Sequence, residues 1–428
     1  MSMPLRKPVQ EGEISLHFPE GGRTAWLVVF GSWCAMLQIF GLINASGVLE
    51  TYFKDHLLQH HSHTEIGWIF SLYLFFVFFV GVLVGPLFDR LGPRIFISTG
   101  SLMIVSSLMI LSIARSYYEI MLCYSVAGGI GGALLYAPAT GAIAHYFDEK
   151  RGLATGLAFT AGGFGGVLLP PLMHHLLSLE GVGFPWTCRI LAFIMLAAAV
   201  PANIFIKARL TSERISADQP ASATNLLDPR ILVQRRFALA SVGYLFMEWG
   251  LFVPLAYITS YGGFYEMPAT DSALMLSIIN AASVFGRFIP GFLSDKLGRF
   301  NVIIMTIALC AISVLTIWLP CQGRVPELTT FSILFGAASG SNLSLIPVCL
   351  GQFCEAQHYG RYITTATMLA SFGSLTSVPI AGALLAIEDG ETGWRCLILF
   401  CGSAYLLALM CYGAARVITV GWKLQAKF

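Results

Sequence analysis

The chain has 428 residues, 56% of them hydrophobic and 11% charged, with a mean hydropathy of +0.74 and a formal net charge of +2. An ordinary soluble domain carries about 25% charged residues, so this composition excludes a soluble core wrapped in a polar surface and marks a polytopic membrane protein. With so small a net charge and no basic run, nucleic acid is not an expected partner.

Residues 1–22 are polar, so no cleavable signal peptide is expected and the first apolar segment itself directs insertion. A spanning helix needs roughly 20 apolar residues. Such runs predict twelve spans at 24–50, 65–88, 94–114, 118–144, 152–178, 187–207, 237–260, 271–293, 300–319, 328–353, 362–387 and 395–418. The fold class is therefore all-α membrane protein. With both termini cytoplasmic, 19 of the 25 Lys and Arg residues fall in inner segments and five in outer ones, as positive-inside orientation requires. The expected location is the cell membrane, multi-pass, with the vacuolar membrane as alternative. The polar stretch 207–236 divides six spans from six. It predicts a cytoplasmic tail (1–23), a six-helix bundle (24–207), a linker (208–236) that holds room for a short surface helix, a second bundle (237–418) and a tail (419–428).

A phrase repeats in the two halves. "GPLFDRLGPR" (85–94) returns as "GFLSDKLGRF" (291–300), each between the second and third span of its half. Gly85 matches Gly291, Asp89 Asp295, Arg90 Lys296 and Gly92 Gly298, with Arg94 and Arg299 also in the loops. A second echo, "GFPWTCRILAF" (183–193) against "TGWRCLILF" (392–400), precedes the sixth helix of each half. Two six-helix halves in the same orientation describe a parallel-repeat transporter fold whose substrate site lies at mid-membrane between the halves. In the loops, a short polar link favours a tight turn at Gly92 and Pro93. Asp89 can accept hydrogen bonds from a helix N-terminus or pair with an arginine across a closing interface. The alternative, that the cluster only marks topology, stays open.

The phrase G-x-L-x-D-R/K-x-G-R, present twice, resembles the loop signature of the major facilitator superfamily. "PEGGRTAWLVVFGSW" (19–33) and "YFDEKRGLATGLAFTAGGFGGVLLPPL" (146–172) are similar to segments of the monocarboxylate-transporter family, especially its fungal members. The resemblance implies transport of a small organic anion of mono- or dicarboxylate type by alternating access. It also implies that the loop cluster latches the cytoplasmic side of an outward-facing state.

Charge at mid-membrane is costly, about 3 kcal/mol on insertion scales. Two charged residues fall clearly inside spans: Glu248 in "YLFMEWGLFVPL" and Arg287 in "NAASVFGRFIPG". Arg287 matches the family's span 8 arginine, which implies a substrate carboxylate facing a planar, permanently charged donor fork; an arginine paired to another helix is the plain alternative. Glu248 is open between a partner for Arg287, a protonatable coupling group and a structural acid. The lysine and aspartate that animal members carry are replaced here by Asn44 and Ser283, neither of which titrates, so proton coupling passes to Glu248 or is absent. Drug–proton antiporters instead carry a span 4 arginine, where this chain has Ser125.

Asn44, Asn280, Asn342 and Gln38 sit at similar depth and either line the cavity or bond across helices. The glycine clusters (128–132, 162–166) allow close helix packing and are not phosphate loops, and no Walker sequence is present. Four histidines in "HLLQHHSH" (56–63) read as a solvated outer loop, with a metal or pH-sensing site as the alternative. The ten cysteines lack CxxC pairs and read as packing residues. No metal, cofactor or enzymatic nucleophile–base pair is expected. A monomer is expected, with a small organic anion or metabolite, lipid and possible protons as its partners. Two other functions compete: efflux of a fungal secondary metabolite, and a non-transporting nutrient sensor.

Overall fold

The computed structural model describes residues 18–210, 230–387 and 390–422. Within them lie twelve helices long and apolar enough to cross a bilayer. They are α1 (Gly22–Leu57), α2 (Glu65–Leu91), α3 (Arg94–Leu111), α4 (Tyr117–Ala144), α5 (Arg151–Ser178), α6 (Gly183–Phe205), α7 (Arg235–Phe264), α8 (Thr270–Leu297), α9 (Arg299–Trp318), α10 (Val325–Leu350), α11 (Ala356–Ile387) and α12 (Glu391–Val420). The described residues form no strand. Large apolar side chains such as Ile95, Leu102, Phe285 and Met410 stay exposed on the outside, as a lipid-facing surface requires.

Local sequence explains the helix ends. At the loop before α2, the Ser62 hydroxyl accepts from the Glu65 amide (3.2 Å) while the Glu65 carboxylate accepts from the Ser62 amide (2.7 Å). Ser116 and Glu119 repeat this reciprocal cap before α4, satisfying amides that a helix start leaves orphaned. At the opposite end of the bundle, Gly92 (φ 81°) and Gly298 (φ 98°) take the left-handed backbone that turns α2 into α3 and α8 into α9.

The largest departure from the expected spans is in α1, which runs to Leu57 rather than ending near residue 50. Phe53 is fully buried, stacked on Phe70 and edge-on to Phe184, so the helix continues through Lys54 and Asp55 because one of its faces remains in the core. The stretch 211–229, which holds most of the expected linker, is outside the described residues; within the rest of the linker Arg230–Val233 forms a short helix leading into α7.

The repeat visible in the loops extends into the bundles. Trp33 of α1 donates from its indole nitrogen to the Thr160 hydroxyl of α5 (3.1 Å), and Trp249 of α7 donates to the Thr376 hydroxyl of α11 (2.8 Å). The first and fifth helices of each half are thus tied by the same pair of residue types.

Candidate functional site

Two side chains place the halves against each other. The Asp89 carboxylate, at the end of α2, accepts from the Gly360 amide (3.0 Å) and the Arg361 amide (2.9 Å) in the first turn of α11. The Asp295 carboxylate, at the end of α8, accepts from the Gly152 and Leu153 amides (2.8 Å each) in the first turn of α5. Each aspartate satisfies two orphan amides and sits at the positive end of a helix dipole. Arg361 is close enough to Asp89 to attract it, and Arg299 to Asp295. Gly85 packs on the Gly360 backbone, and Gly291 on that of Gly152; side chains there would hold the helices apart. Of the remaining loop residues, Arg90 is half-buried, Arg94 is exposed, and Lys296 places its ammonium 4.1 Å from the Phe292 ring centre.

A third carboxylate escaped the sequence reading. Glu20, the acid of "PEGG", accepts from the Asp148, Glu149 and Lys150 amides (2.6, 2.8 and 3.1 Å), while its own amide donates to the Tyr146 carbonyl (3.1 Å). It binds the head of α1 to the loop that launches α5. Its signal was the motif itself, an acid beside two glycines. Its target could not be read, because it lies about 130 positions away. His145 was also missed. Its Nε2 faces the Ala356 carbonyl across the halves (3.2 Å) and its ring stacks on Phe88.

Beyond this polar end, the halves stay in contact to mid-membrane. Gly156 meets the Arg287 carbonyl, Gly163 meets Val284 and Ser283, and Gly166 meets Asn280 and Asn44. On the other seam, Phe75 and Phe79 pack edge-on to Phe372. The end that carries the termini is therefore closed.

Among the last of these contacts lies a narrow cavity with free room of about 30 Å³. Phe40, Ile43 and Asn44 line it from α1, Leu74 from α2, and Leu251, Phe252 and Leu255 from α7. From α8 come Ile279, Asn280, Ser283 and Arg287, and from α10 Ser339, Gly340 and Leu343. The helix α1 loosens here into a π-turn, Leu37–Gly41, a distortion common at functional sites. Asn44 donates to the Gly162 carbonyl (2.7 Å). Arg287, buried, donates from Nη1 to the Phe159 carbonyl (2.8 Å), and its Nε has no acceptor. Gly162 makes that reach possible, because a Cβ there would lie 2.6 Å from Nη1. Among the described residues no carboxylate forms a salt bridge with Arg287.

The cavity therefore brings together Arg287, Asn44 and Asn280. It does not include Asn342 or Glu248. Asn342 lies between α9 and α10, where its Oδ1 accepts from Thr306 (3.3 Å) and its Nδ2 faces Cys310 Sγ (3.7 Å). Glu248 is buried inside the second half, accepting from the Ser374 hydroxyl of α11 (2.8 Å), with its other oxygen unpartnered. Gln38 is buried and bonded within its own helix, and Ser125 donates to the Ile69 carbonyl.

A membrane bundle in two matched halves, joined at one end by paired carboxylate caps and enclosing a central cavity, has the arrangement of a membrane transporter. The model of the Major Facilitator Superfamily matches residues 28–323 and 291–423, and the chain belongs to that superfamily. Three fungal relatives cover nearly all of it. The MFS-type transporter opdF of Penicillium oxalicum is 37% identical over 96% of this chain and 94% of that one. The riboflavin transporter MCH5 of Saccharomyces cerevisiae is 32% identical over 95% and 80%, and the fujikurins efflux protein of Gibberella fujikuroi 33% identical over 94% and 83%. The crystal structure of the human organic anion transporter MFSD10 shares the fold, with a TM-score of 0.69 at 16% identity over 91% of this chain and 99% of that one.

Proposed function

We propose that the chain carries a small organic anion with an apolar body across a membrane by alternating access, the acidic group seated on Arg287. The observation that carries this reading is a buried guanidinium at the cavity wall with an unsatisfied Nε and no carboxylate partner among the described residues. Burying a charge without a counter-ion is costly, and an incoming carboxylate or acidic enol relieves that cost through two parallel donors. Asn44, Asn280 and Ser283 supply further hydrogen bonds, and the leucines, isoleucines and phenylalanines of the same wall suit an apolar body. Arg287 supports the narrower kinship with the monocarboxylate transporters, whereas Asn44 and Ser283, standing in place of that family's titrating pair, depart from it. The terminus-bearing end is cytoplasmic in this reading, so the closed latch belongs to an outward-facing state. Protons, where they couple, act through Glu248, which is absent from the cavity wall and lies between α7 and α11.

The second reading, export of a fungal secondary metabolite, is favoured by the predominance of apolar side chains around the cavity and by the efflux proteins among the relatives. Purified protein in proteoliposomes, offered a panel of organic acids and neutral metabolites with and without a pH gradient, separates the two. Flux of an acid that Arg287→Gln abolishes supports the anion reading. Flux of a neutral metabolite that survives Arg287→Gln sinks it in favour of the second, and absence of any flux points to a sensor.

A further inference from the structure

A second cleft opens between the halves at the terminus-bearing end, with about 780 Å³ of empty space counting its mouth. Asp148 and Arg151 line it from the first half, Arg299, Gln352 and Glu355 from the second. Both arginine side chains are nearly buried, 5% and 13% exposed, and they lie close enough to repel each other. They share one carboxylate: Asp148 Oδ1 is 3.2 Å from Arg151 Nη2 and 3.7 Å from Arg299 Nη2. Arg299 also donates to the Asp148 carbonyl, and Arg151 Nε to that of Phe147. The other acids nearby are engaged. Asp295 caps α5, Glu20 holds three backbone amides, and Glu355 sits exposed at the rim, accepting from Gln357.

We propose that this cleft is a site for a phosphate-type anion, bound between Arg151 of one half and Arg299 of the other. The two nearly buried guanidiniums converge from opposite halves on one half-exposed carboxylate, Asp148, with Asp295 behind Arg299 and Glu355 at the rim, in a confined, partly dry space where charge-assisted hydrogen bonds are strong. A tetrahedral dianion matches donors converging from two sides, and the Gln352 amide, whose buried oxygen lacks a partner, turns to present its NH2 group. Separating the halves at this end parts the two arginines and destroys the site. A ligand that binds one state only stabilises that state by mass action, so such an anion holds this end shut and slows transport. Soluble phosphate esters and phosphoinositide headgroups offer the same chemistry. The inference stands independently of which solute the central cavity carries.

The test uses Cys354, which lines the cleft, is half-buried and has its thiol pushed up to about 12 by burial. Site-resolved maleimide labelling of the purified full chain is followed in sodium pyrophosphate against sodium chloride of equal ionic strength. A parallel arm uses phosphatidylcholine nanodiscs with and without phosphatidylinositol bisphosphate. Binding slows Cys354 labelling at least threefold; protection by pyrophosphate identifies a soluble ligand, protection by the lipid alone a headgroup. Arg299→Gln removes the protection. Glu355→Lys, a change at an exposed residue that leaves folding intact, lowers the half-protecting concentration several-fold. Failure of both anions to protect the wild type, or protection by the wild-type-effective anion that Glu355→Lys leaves unchanged, overturns the proposal.

Discussion

Asp89 and Asp295, 206 positions apart, do the same work on opposite seams: each caps the first turn of the fifth helix of the other half. Gly85 on Gly360 and Gly291 on Gly152 bring the backbones close enough for those carboxylates to reach. The two seams repeat one arrangement, and the sequence repeat is its trace.

Asn at either aspartate keeps the shape but loses the charge, and turns an NH2 group toward one of the two amides. The expected cost to the closed end is about 1–2 kcal/mol, a shift of roughly 5- to 30-fold in the closed-to-open ratio. Asp89→Asn and Asp295→Asn should each speed maleimide labelling of Cys354 by about that factor. Because the seams share no partner, the effects should add. Unchanged labelling in both would mean that the caps do not hold this end closed.

The glycines make a sharper contrast. A Cβ on Gly291 would lie 2.6 Å from the Gly152 carbonyl oxygen, and one on Gly85 2.7 Å from the Gly360 carbonyl carbon. Backbone cannot give way as a side chain can, so Gly85→Ala and Gly291→Ala should cost about 1–3 kcal/mol of closure and raise Cys354 labelling. Gly47→Ala and Gly67→Ala, with nothing within 4 Å, should be neutral or slightly stabilising in thermal denaturation. Equal behaviour of the two groups would refute the close-packing argument.

Glu20→Gln should loosen the same end from a distance. The carboxylate holds three amides of the loop that carries Asp148, and Asp148 in turn holds Arg151 and Arg299. Neutralising it should weaken each charge-assisted bond and speed Cys354 labelling about 3- to 10-fold, for a loss of roughly 1 kcal/mol. Labelling at the wild-type rate would show that Glu20 fastens α1 alone.

The spans, the duplication and the paired loop aspartates were legible in the amino-acid sequence because each leaves a local mark: a run of apolar residues, a repeated phrase, a charge where none is cheap. What the aspartates bind was not, since Gly360 stands 271 positions from Asp89 and only the packed halves join them. Facing was the harder question. In a soluble helix, polarity distinguishes the core face from the solvent face, but lipid and core are both apolar. Nothing in the residues around Asn342 or Glu248 told whether they turn to the cavity or into the second half, and the structure turns both inward. Arg287 and Asn44 were placed by a family's pattern rather than by periodicity. The continuation of α1 past residue 50 was hidden for a related reason: Lys54 and Asp55 look like a loop until Phe53 is seen in the core.

His145 gives the pH test. Burial, aided by the Arg151 and Arg209 charges, holds its imidazole down to about 4, while the Ala356 carbonyl pulls the other way. With this carbonyl as acceptor the neutral ring must carry its proton on Nε2. A histidine in water titrates near 6.5, so above that pH the ring is neutral whether this end is closed or open. Below it, the open or unfolded form takes up a proton that the closed form refuses, and closure weakens as pH falls from about 6.5 toward 4. At one pKa unit per roughly 1.4 kcal/mol the loss reaches at most about 3 kcal/mol at the acid limit. His145→Gln, which keeps a donor for the Ala356 carbonyl but cannot titrate, should flatten that part of the profile. The measurement is the difference in melting temperature between wild type and variant from pH 8 to pH 4.5. A gap that changes in favour of the variant as pH falls is the expected result. A difference constant across the range would show that His145 stays shielded in every state the protein visits.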